Sequence, residues 1–395
     1  MKFEIYHQLG HQYKWNLESL RDDNAGDGII IAPRFIECKK VLELKPEISS
    51  NALFDPQFFL PDIPKGKLLT YDFFPDVVAS GFETDEYAAS FAVESAKKCI
   101  EFQEKNNFRS IVIPTRYLSG MPTDFIESQQ KLFIEPFLGA IASQGITRKV
   151  TVQLVLNDNM VKDKEYSSDI LNWVTGIPNI GSVYVIVEVA PRAKQIKDID
   201  FLYSFLNFIH ALSQNGLEVI LGYLNTEALL LSIASPQVVT IGSYERTRMF
   251  NVRAFRDLEN EGQQGPNPRL YISKLIQSID FRYINAIKRA LPEDVELFDQ
   301  NKYQALMFEP SYRWHFSKPE LYKHYFLEFS KQLRSLSNLA GAERYNAVCS
   351  MIETARSYYT LLSDGGVVFD SDSDGSHLAA WLTAANQFAN QQGWR

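Results

Sequence analysis

The sequence predicts an α/β protein, a (β/α)8 barrel of the TIM type over residues 1–280. A mostly helical region, 281–395, is expected to pack on or flank it. Three observations carry this prediction. From residue 28 onward, short runs rich in Val and Ile alternate with longer helical patterns. Several of those runs are continuously apolar, the signature of parallel strands covered on both faces. Past about Phe281 the alternation stops, and only helical patterns follow.

In chain order the predicted strands are Gly28–Phe35, Ala52–Phe59, Ser110–Tyr117, Val150–Asp158, Ser182–Ala190, Leu217–Asn225, Val238–Tyr244 and Arg269–Ile276. That makes eight, the number a closed barrel needs. The last is the weakest, and a doubly wound open sheet uses the same alphabet. Between the strands, Asp85–Asn106 repeats apolar residues at three and four after the capping Thr84. Thr123–Gly145 ends on glycine, with Pro136 expected to kink it. Asp198–Gly216 also ends on glycine, and Asn225–Ser235 is short and stops before Pro236. Residues 65–84 read as an elaboration after the second strand. Leu258–Pro268, rich in Gly, Pro and Gln, reads as an exposed loop.

The chain has 395 residues, 45% hydrophobic and 22% charged, with a net charge of -8. This is the balance of a globular protein and argues against non-specific coating of nucleic acid. Nothing resembles a membrane span or a secretory leader, so a cytoplasmic location without membrane association is expected. Cys38, Cys99 and Cys349 are far apart and form no CxxC pair, which points to reduced thiols.

In a barrel, chemistry belongs at the carboxyl ends of the strands. Reading off those ends gives Arg34, Asp55, Gln57, Arg116, Asn157, Glu188, Tyr223, Glu245, Arg246 and Arg248, with Pro33, Thr115, Tyr117, Asp158, Arg192, Asn225, Glu227 and Ser243 beside them. Asp55 and Glu188 each interrupt an apolar run. A buried acid is expensive without a partner or a task, so these two are the candidate acid/base groups. An internal salt bridge with a rim arginine is the alternative for each. Arg34, Arg116, Arg246 and Arg248, with Gln57, Asn157, Tyr223 and Glu245, are the candidate ligand-binding residues. A guanidinium fork suits phosphate or carboxylate. Arg253 and Arg256 read instead as a charged helix face paired with Asp257, Glu259 or Glu261.

No metal or cofactor is indicated. The histidines, His7, His11, His210, His315, His324 and His377, miss the predicted strand ends, and neither a GxGxxG nor a P-loop occurs. Asp370–Gly375 opens like a calcium loop, but Trp381 stands where the bidentate Glu belongs. The run from Glu309 to Phe326 interleaves aromatic and basic residues, as base-stacking surfaces do. A helix packed on the barrel explains it too.

Two stretches together resemble the tRNA-guanine transglycosylase-like barrels. Asp55 in "FDPQFF" takes the position of that family's Asp-led motif, without its glycines, and the "RTR" of Arg246–Arg248 resembles its P-T-R. The family's nucleophilic Asp would fall near Gly242 or Ser243, where no acid stands, and its cysteine zinc motif is missing. The resemblance implies a base- or nucleotide-sized pocket, with nucleic acid as a candidate partner, and puts base exchange in doubt. The sequence therefore leads to a barrel that binds or acts on a phosphorylated or nucleotide-like ligand. The alternatives are a non-catalytic scaffold or partner subunit in a protein complex, and a glycosidase-like hydrolase with paired carboxylates.

Overall fold

The computed structural model describes residues 2–59, 66–74, 91–191, 193–252 and 265–395. Eight parallel strands form a nearly closed barrel: β1 (Glu4–Gln8), β2 (Gly28–Ile31), β3 (Ala52–Phe54), β4 (Ile111–Ile113), β5 (Val150–Asn157), β6 (Ser182–Glu188), β7 (Glu218–Leu221) and β8 (Val238–Gly242). Their order, β3-β2-β1-β8-β7-β6-β5-β4, places sequence neighbours side by side except at β3 and β4, and joins β1 to β8. The seam lies between β3 and β4. It is bridged at one end by the Arg109 amide donating to the Ala52 carbonyl (3.0 Å) and at the other by Tyr117 N to Phe59 O (2.8 Å).

The barrel is as predicted, but its membership differs. The first strand is Glu4–Gln8, which the sequence reading passed over, and Arg269–Ile276 is not a barrel strand. The strand β9 (Arg269–Ile272) instead pairs antiparallel with β10 (Gln277–Asp280) in a separate two-stranded sheet. The reason is polarity. The inward face of β1 carries Glu4, Tyr6 and Gln8, so its alternation breaks the apolar run that marks the other strands. His7 consequently lies within a strand and faces outward, bonded to the Asn16 side chain (3.1 Å) and the Ala25 carbonyl.

The interior is layered. At the amino-terminal end Arg109 reaches Glu4 and the Tyr6 hydroxyl, with Glu218 at 3.6 Å, and Lys149 pairs with Glu218 at 2.5 Å. Above lies a row of hydroxyls, Ser110, Thr151 and Ser182, linked at 2.6 Å each. Next come Gln153 and Tyr184, two residues further along β5 and β6 on the same face.

Around the strands run α1 (Tyr13–Asp22), α2 (Ala92–Lys105), α3 (Glu135–Ser143), α4 (Lys164–Gly176) and α5 (Ile199–Gln214). Asp198 caps α5 by accepting from Phe201 N at 3.0 Å. The expected helix over 123–145 is divided by a wide turn at Gln130–Ile134, and Pro136 sits harmlessly in the first turn of α3. The segment between β7 and β8 holds only the short helix Ala228–Leu231 and a 3-10 turn, Ser232–Ala234.

The missing outer wall comes from the C-terminal helices. Helix α6 (Pro319–Ser337) packs on α1, β1 and β8, burying Tyr325, Phe326, Phe329 and Leu333. Helix α7 (Gly341–Asp364) lies on the 232–234 turn, where the fully buried Arg344 donates to the Ser232 carbonyl at 2.8 Å. Helix α8 (His377–Gln391) covers α5, and Trp381 Nε1 donates to Ile196 O at 2.9 Å. A second apolar cluster, including Leu270, Ile279, Ile287 and Leu362, lies under the β9–β10 hairpin.

Candidate functional site

Asp55 follows β3 and is wholly buried within the carboxyl end of the barrel. Its Oδ1 accepts from Gln153 Nε2 (2.7 Å) and from the Gln57 amide (3.1 Å). Burial pushes the carboxyl up to about 7, and the bonds from Gln153 and Gln57, with the neighbouring Tyr184 hydroxyl, only partly oppose it. Asp55 therefore exchanges its proton near neutrality. Its Oδ2 has no hydrogen-bond partner, and neither do Gln153 Oε1, Gln8 Nε2 and Thr115 Oγ1. Tyr184, which also adjoins Asp55, donates to Gln8 Oε1 at 3.2 Å. Four orphaned polar atoms at one end of the barrel ask for a ligand or water, since each costs free energy unpaired.

Gln57 and Tyr223 complete this layer. Gln57 Nε2 donates to the Tyr223 hydroxyl across the barrel (3.2 Å), and its Oε1 accepts from Arg34 N (3.0 Å). Both residues adopt left-handed backbone conformations, φ 57 and φ 56. A buried glutamine and tyrosine in that region are strained, and such strain concentrates at functional sites. The Arg34 guanidinium is held down to about 10, first by burial and further by the neighbouring Arg246 cation, with Tyr223 acting oppositely. Arg34, Asp55, Gln57, Tyr223 and Arg246 thus form one neighbourhood.

Glu188 serves otherwise. Its Oε2 accepts from the Tyr117 hydroxyl, and its Oε1 accepts from the Val252 amide at 2.8 Å. The segment Met249–Val252 is thereby drawn over the mouth. Phe250 lies against Phe59 (ring centroids 5.2 Å apart), Tyr223 (5.5 Å) and Tyr117 (6.2 Å). Arg192, Arg253 and Arg256 lie outside the described residues.

The remaining predicted residues face elsewhere. Asn157 caps the helix Asp158–Lys162 through Met160 N (3.1 Å) and donates to Gly120 O (2.7 Å). The Arg116 backbone is clamped by Gln129 at 2.9 and 3.0 Å, and the residue lines a surface cleft with Asp124 and Ser128. Glu245 pairs with Lys194 at 2.7 Å, and with Arg248 it lines a cleft between the β8 end and the C-terminal region. In the former calcium candidate, Asp372 is 3.5 Å from Lys194 and Asp374 turns back on Ser376. Among the described residues no cluster of His, Cys, Asp or Glu could hold a metal ion, and no helix is long and apolar enough to cross a membrane.

Sequence reasoning missed Gln8, Gln153 and Tyr184. The usable signal was the lone glutamine in the apolar run "VTVQLVL". Glu227 is a further buried carboxyl raised by burial to about 7, with Oε1 accepting from Asn225 N at 2.9 Å.

No known protein-family model matches the chain, and no curated protein matches it. The barrel that the resemblance to the transglycosylases implies is present, and no match supports that family specifically.

Proposed function

We propose that the barrel mouth binds a compact, ring-bearing anionic ligand of the nucleotide type, with Asp55 as its proton-exchanging group. The observation that carries this reading is the set of orphaned atoms around Asp55. Protonated, Asp55 Oδ2 offers a donor; Gln153 Oε1 offers an acceptor and Gln8 Nε2 a second donor. Such a set fits the edge of a planar heterocycle, as paired carboxamides and carboxyls do in base recognition. Tyr223 and Phe250 line a cavity beside this layer and offer the aromatic surface against which a ring can lie. Arg34 and Arg246 supply the charge for an acidic substituent.

In this reading Glu188 is a latch and not half of a carboxylate pair, because both of its oxygens are already engaged. That weighs against paired-carboxylate glycoside hydrolysis. The position after β8 where the transglycosylase resemblance would seat a nucleophile holds Gly242 and Ser243, so the reading is binding with proton transfer, not base exchange.

Thermal-shift titration with mononucleotides, free nucleobases and neutral sugars tests it. A ligand bound only by the folded state raises the melting temperature by mass action. Mononucleotides should stabilise the wild type, and Arg246→Ala should weaken that binding at least ~10-fold. Asp55→Asn should remove the pH dependence of binding around neutrality. If neither nucleotides nor bases shift the wild type, the reading fails.

A further inference from the structure

The cleft holding Arg248 lies between the end of β8, the β9–β10 hairpin and α6, and Arg248 also borders the smaller cavity lined by Tyr223 and Phe250. Arg248 Nε donates to the Gly242 carbonyl at 2.8 Å, and its guanidinium lies 3.8 Å above the Tyr325 ring. These two contacts fix the plane of the guanidinium, yet no acceptor for its terminal nitrogens exists among the described residues. The acids of the cleft are taken. Lys194 holds Glu245 (2.7 Å) and Asp372 (3.5 Å). The other arginine there is also committed: Arg269 Nε donates to Ser278 O (2.9 Å), and its Nη2 donates to Ser373 Oγ (2.7 Å) and to the Asp372 carbonyl.

Two further donors line the same cleft. Ser243 Oγ and the Tyr325 hydroxyl are buried, and neither has a hydrogen-bond partner. Ser243 adjoins the carbonyl that anchors Arg248, and Tyr325 carries the ring beneath the guanidinium. A fixed cation and two idle hydroxyls in one cleft are complementary to an oxyanion, whose lone pairs would satisfy all three.

We infer that this cleft is a second ligand site, in which Arg248, Ser243 and Tyr325 bind the oxyanion head, phosphate or carboxylate, of a small molecule. The walls formed by Tyr244, Tyr322 and Phe316 take the rest of that molecule. None of Asp55, Gln57, Gln153 and Arg246 lines this cleft, so its anion contacts differ from those proposed at the mouth.

The test uses the full chain and isothermal titration with inorganic phosphate, sulfate and acetate, against chloride at matched ionic strength. Wild type should bind at least one of the three above the chloride control. Phosphate or sulfate without acetate identifies a phosphoryl-type head, whereas acetate binding identifies a carboxylate. Tyr325→Phe and Ser243→Ala should each weaken binding ~10-fold or more. Neither should lower the melting temperature of the ligand-free protein, because each removes a hydroxyl that bonds nothing. A control variant on the exposed start of α4, Lys164→Ala, should bind these anions as the wild type does. The inference is overturned if no anion binds beyond chloride. It is equally overturned if both hydroxyl variants bind like wild type while Arg246→Ala abolishes binding.

Discussion

Asp55 carries its proton differently in the folded and unfolded chain, and that difference is measurable. The native carboxyl titrates at about 7, and the ordinary value is 3.8. Between those values the folded protein holds a proton that the unfolded chain has released. The contribution is therefore complete below pH ~4 and is lost as pH rises through ~7. Asp55→Asn abolishes the effect. Denaturant unfolding of both proteins at pH 5 and pH 8 should show the stability difference moving in favour of the variant by about 2–4 kcal/mol at the higher pH. Asp55 was legible because an acid in an apolar strand asks for an explanation. Its partners Gln8 and Gln153 were not, since a neutral amide in a strand raises no alarm until the strands that bring it opposite a carboxyl are known. Asn157 and Arg116 show the converse: the end of a strand marks a side chain as near the mouth but does not say which way it turns.

At the scale of elements, the segment Met249–Val252 depends on Glu188. Replacing Glu188 by Ala leaves the Tyr117 hydroxyl and the Val252 amide without their acceptor, at a cost of about 1–3 kcal/mol. Amide hydrogen exchange at Val252 should accelerate well above that of the β6 amides, which stay in their ladder. Equal rates in variant and wild type would show that Phe250 holds the segment by itself. The C-terminal helices make a larger demand. Trp381 is fully buried on α8 and bonds the loop that leads into α5, so Trp381→Ala should destabilise the whole barrel by about 3–5 kcal/mol. A drop in the single melting transition is expected; an unchanged transition would mean that α8 is dispensable. The sequence showed that these helices exist. Their task was hidden, because it follows from the brevity of Ala228–Leu231, too short to cover β7 and β8.

For the whole molecule, buried carboxyls oppose buried histidines, and the facing pair Asp299 and His324 is shifted by burial in the same two directions. Asp55 and Glu227 are both raised to about 7, whereas desolvation lowers His7 to about 4 and His377 to about 3, from 6.5. The carboxyls make the protein less stable as pH rises from ~4 to ~7. The histidines make it more stable as pH rises from ~4 to ~6.5, because below that the unfolded chain binds protons that the native rings refuse. The slopes oppose one another, and stability should be nearly flat across pH 5–6.5. Combining Asp55→Asn with Glu227→Gln should tip the balance to the histidines, as unfolding free energies that climb with pH over that interval, opposed only by Asp299 among the raised carboxyls described. A flat profile in the double variant would refute the compensation. The barrel itself was readable from alternation, but the identity of its first strand was not. Polar residues that face a barrel interior look, in a sequence, like residues that face water.

The covering of β1 and β8 by α6 also has a temporal side. During synthesis β1 leaves the ribosome first, yet its neighbour β8 follows more than two hundred residues later, and the helix that seals both later still. Until Pro319–Ser337 has emerged, the nascent chain carries the outer edge of His7, whose ring packs on Phe326, and the flank of α1 exposed, a surface on which a chaperone would act.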